Sequence, residues 1–214
     1  MDLKEVTNMY DFTNKTVVIT GGTGVLGAEM SCALVGCGAN VAIVDRDIKL
    51  ADEIADDGVI RCGLRTSPMQ YIMRDLMGYE TFFYELADHP DRVDHLYEVA
   101  KELWKKQLAI LNNSPARLLS ICSNWSDEIH TPVFKKYFIP WLQEATEFLH
   151  SRGKLTLVHC DGEIRRLIPL ILESGIDVAE AWSPVPMTSV TTTELRKAWG
   201  DKITIWGGLP TLIF

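Results

Sequence analysis

The sequence predicts an α/β protein. Three observations carry that prediction. Seven apolar, β-rich runs alternate with helical patterns along nearly the whole chain. Most of the runs are continuously apolar rather than alternating, as in parallel strands covered on both faces. The first run passes through a glycine-rich turn directly into a helical pattern, the signature of a Rossmann-like βαβ unit.

The strand candidates are 15–20 (KTVVIT), 40–45 (NVAIVD), 58–64 (GVIRCGL), 117–123 (RLLSICS), 154–160 (KLTLVHC), 176–182 (IDVAEAW) and 202–208 (KITIWGG). Asp88 and Pro90 open a helix whose apolar stripe is Val93, Leu96, Tyr97, Ala100, Leu103 and Trp104. Thr131 and Pro132 open another, with Phe134, Phe138, Trp141, Leu142, Ala145 and Leu149 on one side. Pro140 lies inside that pattern and is expected to kink or divide it. Ile164 to Ser174 reads as a third helix closed by Gly175, and a short fourth runs from about Thr192 to Trp199, closed by Gly200. The spacing changes near Asp56-Asp57-Gly58, so the expected organisation is a dinucleotide-binding fragment over 1–57 followed by a second domain over 58–214. An alternative places strands 15–20 and 40–45 beside 58–64, giving seven parallel strands as an open sheet or a gapped barrel.

The chain has 214 residues, 47% of them apolar and 23% charged, as in ordinary soluble domains. A net charge of −8 argues against nucleic acid and anionic membrane surfaces as partners, because no basic field gathers phosphates. Five cysteines without a CxxC pair argue against a disulfide framework or zinc knuckle. The start, MDLKEVTNMYDF, lacks an apolar signal core, and no apolar run approaches the ~20 residues of a membrane span, so a cytoplasmic protein is expected.

Gly22, Gly24 and Gly27 form GxGxxG in Thr20-Gly21-Gly22-Thr23-Gly24-Val25-Leu26-Gly27, after a strand and before a helix. Such glycines allow a tight turn and a close approach of backbone to pyrophosphate, which the helix N-terminus then binds. Asp45 ends the next strand, where a carboxylate accepts ribose hydroxyls and favours NAD; adjacent Arg46 leaves NADP open. Residues 10–57 resemble the N-terminal part of the short-chain dehydrogenase/reductases, and the turn is therefore a candidate NAD(P) site. That resemblance implies a catalytic Ser and a YxxxK motif. Tyr97-Glu98-Val99-Ala100-Lys101 spells YxxxK, but no Ser precedes it at the family's spacing and Tyr97 fits the apolar stripe of its helix.

The remainder carries a second set of motifs: Met77-Gly78-Tyr79-Glu80-Thr81-Phe82-Phe83-Tyr84, Asp88-His89-Pro90-Asp91-Arg92-Val93, Phe138-Ile139-Pro140, His159-Cys160-Asp161-Gly162 and Trp206-Gly207-Gly208-Leu209-Pro210. In that order and spacing, residues 58–214 resemble the uroporphyrinogen decarboxylase family, which includes methyltransferases serving corrinoid proteins. The resemblance implies a TIM-type (β/α) barrel with its site at the C-terminal strand ends. Five strands match and eight close such a barrel, so a partial barrel, truncated and inactive, is one expectation. The implied substrate is a small molecule, a carboxylate-rich tetrapyrrole or a methyl donor. A corrinoid protein is the partner implied by the methyltransferase branch. Unpaired strand edges make an oligomer the expected state.

His159 and Asp161 end the strand 154–160, and their i, i+2 spacing puts both on one side of an extended backbone. Imidazole plus carboxylate serves as catalytic acid and base, or as metal ligands. Glu180, at the end of the next strand, is a candidate third ligand for zinc, against the plainer reading of a solvated strand-end carboxylate. In the methyltransferase branch the matching motif is His-x-Cys and binds zinc. Asp161 stands here where that Cys would be, which puts the thiolate chemistry in doubt. The decarboxylase branch uses neither metal nor cofactor. Ser123, Asn124, Trp125 and Asp127 either line the same strand ends or form an ordinary polar loop; His89, His95, His130 and His150 read as surface or helix-face histidines, and Cys160 as a buried strand residue. Two further functions stand beside this reading: an NAD(P)-dependent oxidoreductase fragment and a non-catalytic fusion product.

Overall fold

The computed structural model describes residues 11–20, 25–44, 58–64 and 66–208. The chain divides into two units, one comprising Met1–Cys62 with Asn113–Leu119 and the other Gly63–Asn112 with Ser120–Phe214.

In the first unit, β1 (Thr16–Thr20), helix α1 (Val25–Gly36) and β2 (Asn40–Val44) follow one another, and β1 pairs with β2 in parallel, Val17 opposite Val41. β3 (Gly58–Gly63) pairs in parallel with β2, Val41 opposite Gly58. Of the arrangement weighed above as the alternative, the parallel pairing of β2 with β3 is present, and β1 lies beside β2 rather than β3. Ile19, Ala39 and Val41 form a small core with Phe12, Val17, Leu34 and Val35 packed against it. Leu26 and Met30 of α1 are exposed.

The second unit contains α2 (Pro68–Gln70, widening into a single i→i+5 turn over Tyr71–Leu76), α3 (Tyr79–Asp88) and α4 (Pro90–Asn112), which fill the long interval before β4 (Leu118–Ser123). α5 (Asp127–Val133) follows, then a second wide turn over Phe134–Phe138, α6 (Ile139–His150), β5 (Leu155–His159), α7 (Ile168–Glu173), β6 (Val178–Trp182), α8 (Thr192–Trp199) and β7 (Thr204–Gly207). β4 lies beside β5; β5–β6 and β6–β7 are parallel, so the helices act as crossovers and cover the sheet. The α/β class is as expected.

Local chemistry explains where the helices break. Pro140 lacks the N–H that would bond the carbonyl of Lys136, and the helix loosens one turn before it. Ile139 N–H bonds Phe134 O across five residues, and Pro140 then sits in the first turn of α6, where no N–H is required. α5 starts earlier than the Thr131-Pro132 signal suggested, behind Ser126, with Pro132 inside it. α7 covers only the latter part of the expected Ile164–Ser174 helix. α8 has a full capping box: Thr191 Oγ1 accepts from Glu194 N–H and the Glu194 carboxylate accepts from Thr191 N–H. Trp125, Trp141, Trp182 and Trp199 are all fully buried, so aromatic packing anchors this unit. No helix among the described residues is long and apolar enough to cross a membrane.

Candidate functional site

The C-terminal ends of β4, β5 and β6 come together in the second unit. The backbone N–H of Asn124, just past β4, donates to His159 O at 2.8 Å, and the N–H of Cys160 donates to Glu180 O at 2.7 Å. His159 and Glu180 are register partners on neighbouring parallel strands, so their side chains leave the same face at the same height. The outcome is a contact of 2.6 Å between His159 Nδ1 and Glu180 Oε2. The His159 side chain is 32% exposed and that of Glu180 is 18% exposed. The histidine thus remains in reach of solvent while the carboxylate behind it is largely covered.

The carboxylate that meets His159 is therefore the cross-strand one. Asp161 lies past the end of β5 and is exposed, with no hydrogen bond or ion pair among the described residues. Gly162 follows it at φ +130°, and a Cβ there would stand 2.5 Å from Trp125 O, so the exit from β5 passes too close to the β4 loop for any side chain. Cys160 is fully buried, and burial pushes its thiol up, with Cys122 and Glu180 adding to the shift; it remains protonated and inert.

The loop after β4 is a built structure rather than a loose polar segment. Trp125 is buried and its indole N–H meets Cys122 Sγ at 3.2 Å. Asp127 is buried at the start of α5 and accepts the Arg166 N–H on both oxygens, at 2.9 and 3.0 Å. Asn124 is exposed and adopts φ +49°. His130, read from the sequence as a surface or helix-face histidine, is 1% exposed. Its Nε2 lies 2.7 Å from Gln70 Oε1, its Nδ1 accepts from Ser126 N–H at 2.9 Å, and burial lowers its pKa to about 4. Its place was legible in one signal: His130, Val133, Phe134 and Tyr137 share one helical face by spacing and are all buried.

Polar contacts tie the segment after β5 to the residues before α8. The Glu163 carboxylate accepts from Ser189 N–H at 2.6 Å and from Arg165 N–H at 3.2 Å. Burial acts to raise its carboxyl, but the bonds to Ser189 outweigh this and hold it below the usual range. Arg165 reaches back to the Ser189 hydroxyl at 2.9 Å, to the Ser189 carbonyl, and to Glu194 at 3.2 Å. Glu194 is held down to about 2 by its bonds to Thr191 and by Arg165.

Of the remaining candidates, Gly22, Gly24 and Asp45 lie outside the described residues. Gly27 is in the first turn of α1, its carbonyl accepting from Ser31 Oγ at 2.7 Å. Tyr97 is buried and its hydroxyl donates to Tyr137 O at 2.8 Å, while Lys101 pairs with Glu98, so this YxxxK is part of a helix packing face. Among the described residues no group of three or more His, Cys, Asp or Glu stands so as to hold a metal ion. A zinc ion between His159 and Glu180 would need about 2 Å to each, so their 2.6 Å contact would have to open. Among the described residues the donors in place are therefore fewer than the three of a catalytic zinc site.

The sequence model described as uroporphyrinogen decarboxylase (URO-D) matches residues 36–214. That match begins within α1 and takes in β2 as well as the whole second unit. Among curated proteins none matches the chain.

Proposed function

The chain belongs to the uroporphyrinogen decarboxylase family, and on that premise we propose that it removes a carboxyl group from a carboxylate-bearing substrate, with His159 as the proton-carrying group and Glu180 as the carboxylate that orients it. The reading takes the parallel strands as part of the family's TIM-type barrel, whose chemistry sits at the C-terminal strand ends. The observation that carries it is the 2.6 Å contact between His159 Nδ1 and Glu180 Oε2 at those ends. A carboxylate at Nδ1 keeps the proton there in the neutral ring and stabilises the imidazolium when the ring takes a second proton. In the reaction the carbon–carboxyl bond breaks, CO2 leaves, and its electron pair stays on the substrate carbon. That carbon then takes a proton from His159 Nε2, and solvent restores the proton through the exposed edge of the ring. A positioned acid of this kind accelerates a reaction by about 10²–10⁴-fold.

The test is incubation of the purified protein with uroporphyrinogen under reducing conditions, with products separated by mass. Stepwise loss of carboxyl groups is expected, falling by about 100-fold or more in His159→Ala and less steeply in Glu180→Gln. No product from the native sequence, or an undiminished rate in His159→Ala, sinks the reading.

The same contact favours a second reading. Zinc-binding histidines commonly donate their other ring N–H to a carboxylate. Glu180 would then orient His159 as a metal ligand, with Asp161 as a further oxygen donor, as in the methyltransferase branch. Zinc, when bound, would supply Lewis acidity toward a thiol.

A further inference from the structure

The Tyr79 hydroxyl stands at the head of a one-way chain of hydrogen bonds whose direction is set by a single backbone amide. Ser126 N–H can only donate, so His130 Nδ1 accepts from it at 2.9 Å, a closer contact than the 3.2 Å to the Ser126 carbonyl. The neutral ring then carries its proton on Nε2, which donates to Gln70 Oε1 at 2.7 Å. That fixes the orientation of the Gln70 amide. Its NH2 faces the other way and donates to Asn124 O at 3.2 Å and to Tyr79 Oη at 3.3 Å. Gln70 is wholly buried and His130 is 1% exposed, so no water competes for these roles. The Tyr79 ring also packs edge-on to the His130 ring at 6.1 Å.

The consequence falls on Tyr79. Its oxygen already accepts from Gln70, so its own proton is left to donate, and among the described residues it has no acceptor. The residue is half-buried at the first position of α3. Gln70 bonds both Tyr79 and Asn124, and Asn124 N–H bonds His159 O, so the hydroxyl is tied to the strand ends that carry the His159–Glu180 pair. Burial raises the phenol above its usual range, the Arg74 cation acting the other way, and the group keeps its proton at neutral pH. Arg74 is paired with Asp75 at 2.8 Å, and the two charges act on the phenol in opposite directions.

We propose that Tyr79 donates its hydroxyl proton to a carboxylate oxygen of the substrate, and that Gln70 and His130 are positioning residues that hold it in that polarity. The inference deepens the decarboxylase reading, naming the group that grips the substrate acid, and rests on it for the location of the site. The probes are pyrrole-3-acetate and its decarboxylated counterpart 3-methylpyrrole, with binding read from ligand NMR line broadening and the protein's tyrosine ring signals. This readout needs no turnover, so it stands apart from any failure of the catalytic reading. Tyr79→Phe removes one oxygen and leaves the packing. It should weaken pyrrole-3-acetate about 10–150-fold, the value of a hydrogen bond to a charged group, and leave 3-methylpyrrole unchanged. Gln70→Met and His130→Phe should reproduce that selective loss; if one of them fails to fold, the other and Tyr79→Phe still decide. Equal loss for both probes, undiminished acid binding in Tyr79→Phe, or no acid binding by the native sequence overturns the proposal.

Discussion

Asp177 binds Thr156 through three hydrogen bonds across the N-terminal ends of β5 and β6. Its Oδ2 accepts from Thr156 N–H at 2.7 Å and from Thr156 Oγ1 at 2.8 Å, and its own N–H donates to Thr156 Oγ1 at 3.2 Å. His150 Nε2 lies 2.8 Å from the same carboxylate oxygen. Thr156 is fully buried, so its N–H has no water to turn to if the carboxylate is removed. Asp177→Ala should therefore destabilise the protein by about 2–3 kcal/mol, and Asp177→Asn, which keeps an acceptor, by about half of that. Urea unfolding midpoints decide this; equal midpoints for the native sequence and Asp177→Ala would falsify it.

Acid should destabilise the protein through His130. Its folded pKa is lowered to about 4 from a reference of 6.5. Above pH 6.5 both folded and unfolded states are neutral and the group adds no pH dependence. Between pH 6.5 and about 4 the unfolded chain takes a proton that the folded chain refuses, so stability falls with pH over that window and levels off below it. The full effect is about 3 kcal/mol. His130→Gln should flatten the curve of stability against pH between 6.5 and 4. A slope that survives in that variant assigns the acid sensitivity to other groups.

Zinc is expected to bind weakly through His159, with Asp161 as an oxygen donor and Glu180 orienting the His159 ring, because fewer than three ligands are already in place. Binding should fade as the pH falls below about 6, where the imidazole protonates. Titration of zinc into the native sequence, His159→Ala and Glu180→Gln is the measurement. The same affinity in all three removes these residues from any metal site and leaves the proton-carrying reading alone.

NADH should bind weakly, and differ in fluorescence when bound, if Gly22, Gly24, Gly27 and Asp45 act as the glycine-rich turn suggests. Asp45→Ala should then weaken NAD more than NADP. Hydride transfer is not expected, since the Tyr97 hydroxyl is engaged by Tyr137 O and burial pushes it well above the usual phenol range. Tyr97→Phe should cost about 1 kcal/mol of stability and leave NADH consumption unchanged. A dehydrogenase activity abolished by that substitution would reverse this assignment.

The inner parallel strands announce themselves because both faces are covered, and continuous apolar runs have few other uses; β1 and β7 carry the same pattern although they are partly exposed. Each of the seven runs contains a strand, from Thr16–Thr20 to Thr204–Gly207, with ends differing by one or two residues. Helix punctuation was less legible. Thr131-Pro132 looked like a start, but Ser126 and the buried Asp127 begin the helix earlier. At the site, period-two spacing singled out His159 and Asp161, whereas the observed partner of His159 is Glu180. Local spacing states which side chains share a face of one strand; which residue stands opposite on the next strand is set by register. Gln70 and Tyr79 carried no sequence signal as site residues, because their roles come from a buried chain of hydrogen bonds linking α2, α3 and α5.

One carboxylate does two jobs at the start of α8. Glu194 closes the capping box of α8 with Thr191 and also receives Arg165 from the β5 loop. Damage at the two ends of that bridge is therefore unequal. Losing Arg165 frees a loop and leaves the helix start intact, whereas losing Glu194 frays the helix and unlatches the loop together. For anyone reshaping the segment that follows β5, Arg165 is the position to vary and Glu194 the one to leave alone.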